Sequence, residues 1–223
     1  IRYAGMGEVK QIEQWLAMNK ATNFEEWLAA LAQHTFASFN FVYSDKDGNI
    51  AFIHNSMTPV RIPGYNWYNY LPGDKSSLIW DSYISFEKLP MVINPSSGYL
   101  ISANQSPFFV TSDKDNPDRK NYSDEDGFPT RMTNRAVRGL ELLSELDKID
   151  EQTFSDIKHD KKYSKKSRAY KYLEKAMLAD LGDLNTQKHE IYANAQTILK
   201  KWDLSTDKNN RGAALGTCII GAE

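Results

Sequence analysis

Phe39-Asn40-Phe41-Val42-Tyr43-Ser44-Asp45-Lys46-Asp47-Gly48-Asn49-Ile50-Ala51-Phe52-Ile53 is the stretch that decides the reading of the fold. Phe39, Phe41 and Tyr43 alternate with Asn40 and Val42, the two-residue period of a strand, and Ile50, Phe52 and Ile53 resume after Asp45-Lys46-Asp47-Gly48. An Asp-Gly pair accepts the positive φ that a tight turn demands. The stretch therefore predicts a β-hairpin over residues 39–53.

On its N-terminal side the period changes to that of a helix. Phe24, Trp27, Leu28, Leu31 and Ala32 fall on one helical face within residues 23–36, with Asn23 available as N-cap. Ile12, Trp15 and Leu16 repeat the pattern, so a short helix is expected over residues 10–18. On the C-terminal side, residues 57–129 hold the prolines and the string Asn94-Pro95-Ser96-Ser97-Gly98, which keeps regular structure short. One strand, residues 99–103, is expected there, and the Asp-, Asn- and Ser-rich residues 112–127 read as an exposed, mobile excursion. After Arg131 three helical stripes follow: Val137, Leu140, Leu143 and Leu146; then Ala169, Tyr172, Leu173, Ala176 and Met177; then Ile191, Ala195, Ile198, Leu199 and Trp202. Gly182 and Asp183 read as the stop between the last two. The expectation is an α+β chain: a mixed portion over residues 1–130 and a portion of three or four helices over residues 131–223.

Composition narrows the function. With 27 Lys and Arg against 29 Asp and Glu the formal charge is −2, which gives no electrostatic case for nucleic acid. Mean hydropathy is −0.58, and no apolar run approaches the ~20 residues of a membrane span. Cys218 is the single cysteine, which excludes an internal disulfide and a multi-cysteine metal site, and it reads as a small core residue. His34, His54, His159 and His189 are scattered, without the spacing of a zinc site. The lysines between Lys158 and Lys171 read as a solvated helix entrance. Asp207-Lys208-Asn209-Asn210-Arg211-Gly212 fails as a calcium loop because Arg211 stands where an oxygen ligand belongs. No glycine-rich phosphate loop and no Gly-x-Ser-x-Gly elbow is present. Residues 1–10 lack a charged head followed by an apolar core, and no Met begins the chain, so it reads as a processed or excised piece. What is left is Asn104, delivered after residues 99–103. An Asn amide so placed can donate to a developing oxyanion, and it can equally cap a turn.

The hairpin string Asn40-Phe41-Val42-Tyr43-Ser44-Asp45-Lys46-Asp47-Gly48-Asn49-Ile50 is followed by Pro59-Val60-Arg61, Trp80, Phe86-Glu87-Lys88-Leu89-Pro90 and Asn94-Pro95-Ser96-Ser97-Gly98-Tyr99 through Asn104. In this order the strings resemble the penicillin amidase family of N-terminal-nucleophile hydrolases. The likeness continues at Arg131, Asp156-Ile157-Lys158-His159-Asp160, Trp202-Asp203 and Arg211-Gly212-Ala213-Ala214-Leu215, and so spans nearly the whole chain. It departs at Trp80, followed by Asp81-Ser82 where many relatives carry Gly.

The resemblance implies part of an αββα sandwich. It also implies hydrolysis, through an acyl-enzyme, of the amide of an acylated amine such as an N-acyl-homoserine lactone or a penicillin. The degradation of antibiotics or quorum signals, in the periplasm or outside the cell, goes with it. In the family the nucleophile is a serine at the first residue of the β chain, with its own α-amine as base. Residue 1 here is Ile, so the chain resembles an interior stretch of a β chain, inactive alone. Its partners would then be the remainder of that β chain and the α chain of the same precursor. By motif position Asn104 is the oxyanion-hole donor, Arg131 orients the surroundings of the nucleophile, and Trp15 and Phe39 line the acyl pocket. Asp115 falls near a structural calcium ligand whose companions are upstream or unmatched; no other cofactor is implied. Two rival readings are a non-catalytic acyl- or aromatic-ligand-binding module of the same ancestry and a carbohydrate-binding surface on residues 64–83.

Overall fold

The computed structural model describes residues 2–182 and 184–221, so Ile1 and the Asp183 half of the expected stop lie outside the described residues. The chain forms two compact units, Ile1–Arg131 and Met132–Glu223.

The first unit is built on the expected hairpin. Strand β1 (Ser38–Ser44) pairs antiparallel with β2 (Ile50–Ser56), Phe41 opposite Ile53 and Ser44 opposite Ile50. Asp45 organises the turn: its Oδ1 accepts from the backbone N–H groups of Asp47 and Asn49, both at 2.9 Å, while Gly48 adopts φ 90°. That conformation suits glycine because it carries no Cβ to clash. A third strand, β3 (Met91–Ile93), pairs antiparallel with the other edge of β2, Phe52 opposite Val92.

Strand β2 is thus central, and both its faces are buried. Ala51 and Ile53, with Phe41 of β1, pack under α1 (Gln11–Lys20) and α2 (Phe24–Leu31) in a core that includes Met18, Leu31 and Phe36. The Asn23 side chain caps α2 by accepting from Glu26 N at 2.8 Å, and the Glu26 carboxylate accepts from Thr22 N at 2.8 Å in return. Helix α1 is pinned by the buried Gln14, whose amide donates to Leu31 O at 2.7 Å and whose oxygen accepts from Thr35 N at 2.8 Å. The opposite face of β2 carries Phe52, which packs with Val92, Val110 and Leu100.

The strand expected over residues 99–103 does not form. Ile101 N donates to Val110 O at 2.8 Å, but side chains occupy the next carbonyls: Thr111 Oγ1 donates to Tyr99 O and Gln105 Nε2 to Ile101 O. With the ladder positions taken by side chains, the segment is an ordered loop rather than a strand. Residues 112–127 are irregular apart from single turns at Asp113–Asp115 and Arg119–Asn121. They are less detached than expected, because the Tyr122 ring packs on Phe108 and Phe128 at 5.1 and 5.4 Å.

The second unit contains five helices among the described residues, rather than three or four: α3 (Asn134–Ser144), α4 (Glu151–Lys158), α5 (Arg168–Leu178), α6 (Thr186–Lys201) and α7 (Arg211–Ile220). Thr133, Asp150, Ser167, Asn185 and Asn210 cap them by accepting first-turn N–H groups. Their core gathers Ala169, Leu173, Leu199, Trp202, Ala213 and Ile220. Helix α7 carries glycine at 212 and 216 because it lies on the Trp202 indole. A Cβ on Gly216 would fall 2.1 Å from a Trp202 ring carbon. Cys218, expected in a core, is exposed: it lies on α7 away from that contact. Among the described residues no helix is long and apolar enough to cross a membrane.

Candidate active site

Asn104 lies in the loop that packs on Phe52 of β2. The loop is reached through the turn Asn94-Pro95-Ser96-Ser97-Gly98, in which Asn94 (φ 48°) and Gly98 (φ 74°) are left-handed. Asn94 ties this turn to the hairpin, its Oδ1 accepting from Ile50 N at 2.9 Å and its amide donating to Asn49 Oδ1 at 3.0 Å. Farther along, the Ser97 and Thr111 hydroxyls lie 2.5 Å apart and close the base of the loop.

At the far end the backbone bends left-handed again at Asn104, with φ 59°. Asn tolerates this region better than most side chains, yet a non-glycine residue there is uncommon and marks a conformation imposed by its surroundings. Asn104 is exposed, whereas Ala103, Gln105, Ser106 and Pro107 around it are buried. Ser106 N donates to Arg131 O at 3.0 Å, so the main chain of Arg131 is fastened two residues from Asn104, with the residue itself exposed.

Trp15 and Phe39 also come together, from α1 and β1. The Trp15 ring lies 5.0 Å from Phe36 and 5.7 Å from Phe41; Phe39 lies 5.5 and 6.2 Å from the same two rings. Phe36 and Phe41 are buried, while Trp15 and Phe39 are 43% and 52% exposed. The result is an aromatic surface with a buried floor and two open rims, suited to an apolar group. The described contacts thus form two groups, Trp15 with Phe39 and the Asn104 loop with Arg131.

Asp115 fastens the Asn94 turn. Its carboxylate accepts from the Ser96 hydroxyl at 3.0 Å, Ser97 N at 3.0 Å and the Ser112 hydroxyl at 3.2 Å. Burial works against its ionisation, but these hydrogen bonds, Ser96 foremost, outweigh that and hold its carboxyl below the usual range. Among the described residues no group of three His, Cys, Asp or Glu side chains could hold a metal ion. Asp115 is thus one carboxylate at the position the resemblance gives to a calcium ligand, with the companion ligands upstream or unmatched.

Two features escaped the sequence. One is a cavity of about 320 Å³ lined by Arg61, Tyr65, Trp67, Tyr68 and Glu125, in which Arg61 donates to Glu125 O at 2.7 Å and lies over the Trp67 ring. The other is Gln105, which the sequence presents only as one more polar residue of a loop and which is 2% exposed. Arg61 and the aromatic residues of 64–83 stand in stretches already singled out in the sequence, but no period or spacing there gives the cavity, or Gln105, its contacts.

The sequence profile of the penicillin amidase family matches residues 2–220. A penicillin G acylase of Escherichia coli is 30% identical over 145 residues, which is 65% of this chain and 15% of that protein. Among solved structures, a thermostable penicillin G acylase from Alcaligenes faecalis has the same fold with a TM-score of 0.62, covering 91% of this chain and 33% of that one at 23% identity. The chain therefore spans a third or less of these relatives' length. Its α+β fold and a match over nearly every residue agree, and the chain belongs to the penicillin amidase family.

Proposed function

We propose that this chain is the part of an amide hydrolase that carries the oxyanion donor. The reaction is the cleavage of an acylated amine, an N-acyl-homoserine lactone, a penicillin or a related N-acyl compound, through an acyl-enzyme. The observation that carries the reading is Asn104: an exposed residue at a left-handed bend, flanked by buried residues, at the position where the family resemblance expects the donor. As an amide carbonyl becomes tetrahedral its oxygen gains charge, and a donor already held in place lowers the barrier without reorganising. Trp15 and Phe39 supply apolar surface for the acyl group, and Arg131, fastened to the same loop, orients the surroundings of the nucleophile. The attacking group is the family's N-terminal nucleophile with its own amine as base, supplied together with the remainder of the β chain and the α chain. A periplasmic or secreted location is part of the same proposal.

The test is Asn104→Ala in the complete processed protein. Loss of one oxyanion donor lowers kcat by about 10²–10³-fold, with KM and melting temperature nearly unchanged. A destabilised variant with normal single-turnover acylation would remove Asn104 from the catalytic residues. Binding of acyl amides by the wild-type protein with no turnover would replace the hydrolase reading by that of a binding module.

A further inference from the structure

We infer that Gln105 is a positioning residue: its side chain holds Asn104 in the left-handed conformation that presents the amide. The inference rests on the reading of Asn104 as oxyanion donor and adds to it the group that sets the donor's direction.

Gln105 Oε1 accepts from Ala103 N at 2.6 Å, while its Nε2 donates to Ile101 O at 2.9 Å and to Phe109 O at 3.0 Å. The first bond closes a ring that runs from Ala103 through Asn104 to Gln105 and back through the glutamine side chain. Both backbone torsions of Asn104 lie inside that ring. The other two bonds join the ascending arm of the loop at Ile101 to the descending arm at Phe109, where a β-ladder would otherwise provide rungs. A glutamine is the shape this requires: one acceptor and two donors at the end of a stem long enough to reach back two residues. Being buried, it exchanges none of these bonds for water without exposing the backbone groups it serves.

The left-handed region disfavours most L-residues by an amount equivalent to about tenfold in population, and asparagine, which enters it more readily, by a few-fold. With the ring opened, Asn104 relaxes toward the ordinary regions and its amide turns away. The loss therefore falls on the chemical step and leaves acyl binding intact.

The experiment is a double-mutant cycle in the complete processed protein, assayed with a phenylacetyl anilide and an N-acyl-homoserine lactone, whichever is turned over. Gln105→Met fills the same volume without the three hydrogen bonds; beside a lowered melting temperature it is expected to lower kcat a few-fold with KM unchanged, and to have no further effect on kcat in an Asn104→Ala background. An equal loss of kcat in both backgrounds, or a lowered melting temperature with unchanged kcat, would overturn the positioning role and leave Asn104 standing. Unchanged kcat for Asn104→Ala alone overturns the donor reading, and the inference with it. Should Gln105→Met fail to fold, the same cycle with Gln105→Asn, which keeps a buried amide but shortens its reach, carries the same expectations.

Discussion

His54 makes the stability of the first unit depend on pH in a window of its own. It lies on the central strand β2, only 7% exposed, with Nδ1 2.6 Å from Asn40 Oδ1 across the hairpin and its ring edge-on to Phe128 at 5.6 Å. With a carbonyl oxygen as partner, Nδ1 carries the proton of a neutral ring. Burial disfavours the imidazolium and pushes the pKa down from 6.5 to about 4. In the unfolded chain the ring protonates near 6.5, so between about 6.5 and 4 the unfolded state binds more protons than the folded one. Stability from this residue is therefore complete above 6.5 and is lost as pH falls toward 4. At about 1.4 kcal/mol per pH unit of difference, the loss is about 2 kcal/mol between pH 7.5 and 5 and about 3 kcal/mol once pH reaches 4. Carboxylates held low by hydrogen bonds, Asp45 chiefly by the Asn49 amide and Asp207 by the Ser205 hydroxyl, give up their contribution at lower pH. Urea unfolding at several pH values between 7.5 and 5 measures the slope. In His54→Gln, which has no titrating ring, the slope over that window flattens whatever the variant's absolute stability. An NMR titration placing the imidazole pKa near 6.5, or equal slopes in the two proteins, would refute the reasoning.

Two packing substitutions complement the kinetic ones already described for Asn104 and Gln105. Gln14→Met keeps the volume under α1 but strips the acceptor from the buried Thr35 N–H and hydroxyl, at a cost of about 2–4 kcal/mol in urea unfolding; a neutral result means water reaches that site. Gly216→Ala gains about 1 kcal/mol of helix propensity, but its methyl would meet the buried Trp202 ring at 2.1 Å, and overpacking of that kind outweighs the gain, giving net destabilisation of about 1–3 kcal/mol. A raised melting temperature for this variant would show that α7 can move off the indole.

The elements that could be read in advance are those whose local chemistry and tertiary setting agree. Alternating Phe39, Phe41 and Tyr43 with an Asp-Gly turn specify a hairpin before any packing is known, and Asn23 caps α2 as its residue type suggests. The misses come where packing decides. Met91, Val92 and Ile93 form a strand too short to show a period, and they are strand only because β2 offers them an open edge. Residues 99–103 carry strand-like residues, yet Thr111 and Gln105 take the carbonyls that a ladder would use. Helix α7 is hidden by two glycines that argue against a helix locally and are required by Trp202. Of the site, Trp15 and Phe39 were paired by resemblance, but their shared floor of Phe36 and Phe41 belongs to the packing of α1 on β1.

Asn104 owes its placement to a chain of contacts that begins in the hairpin. The turn at Asp45 sets the register that makes β2 central, and being central obliges Phe52 to find cover on the face opposite the helices. Val110 and Leu100 provide it, which brings the two arms of the loop onto the sheet. Once both arms are anchored, their backbone groups must be satisfied within a span too irregular for a ladder, and the buried Gln105 amide does so while enclosing Asn104. At the tip of the loop stands Asn104, an exposed residue with a left-handed backbone. Hydrophobic burial fixes where the loop lies, and hydrogen bonding fixes which way its tip points. A substitution such as Phe52→Ala should therefore lower stability whatever residue stands at 104, whereas one at Gln105 should lower stability and also cost kcat only while Asn104 is present.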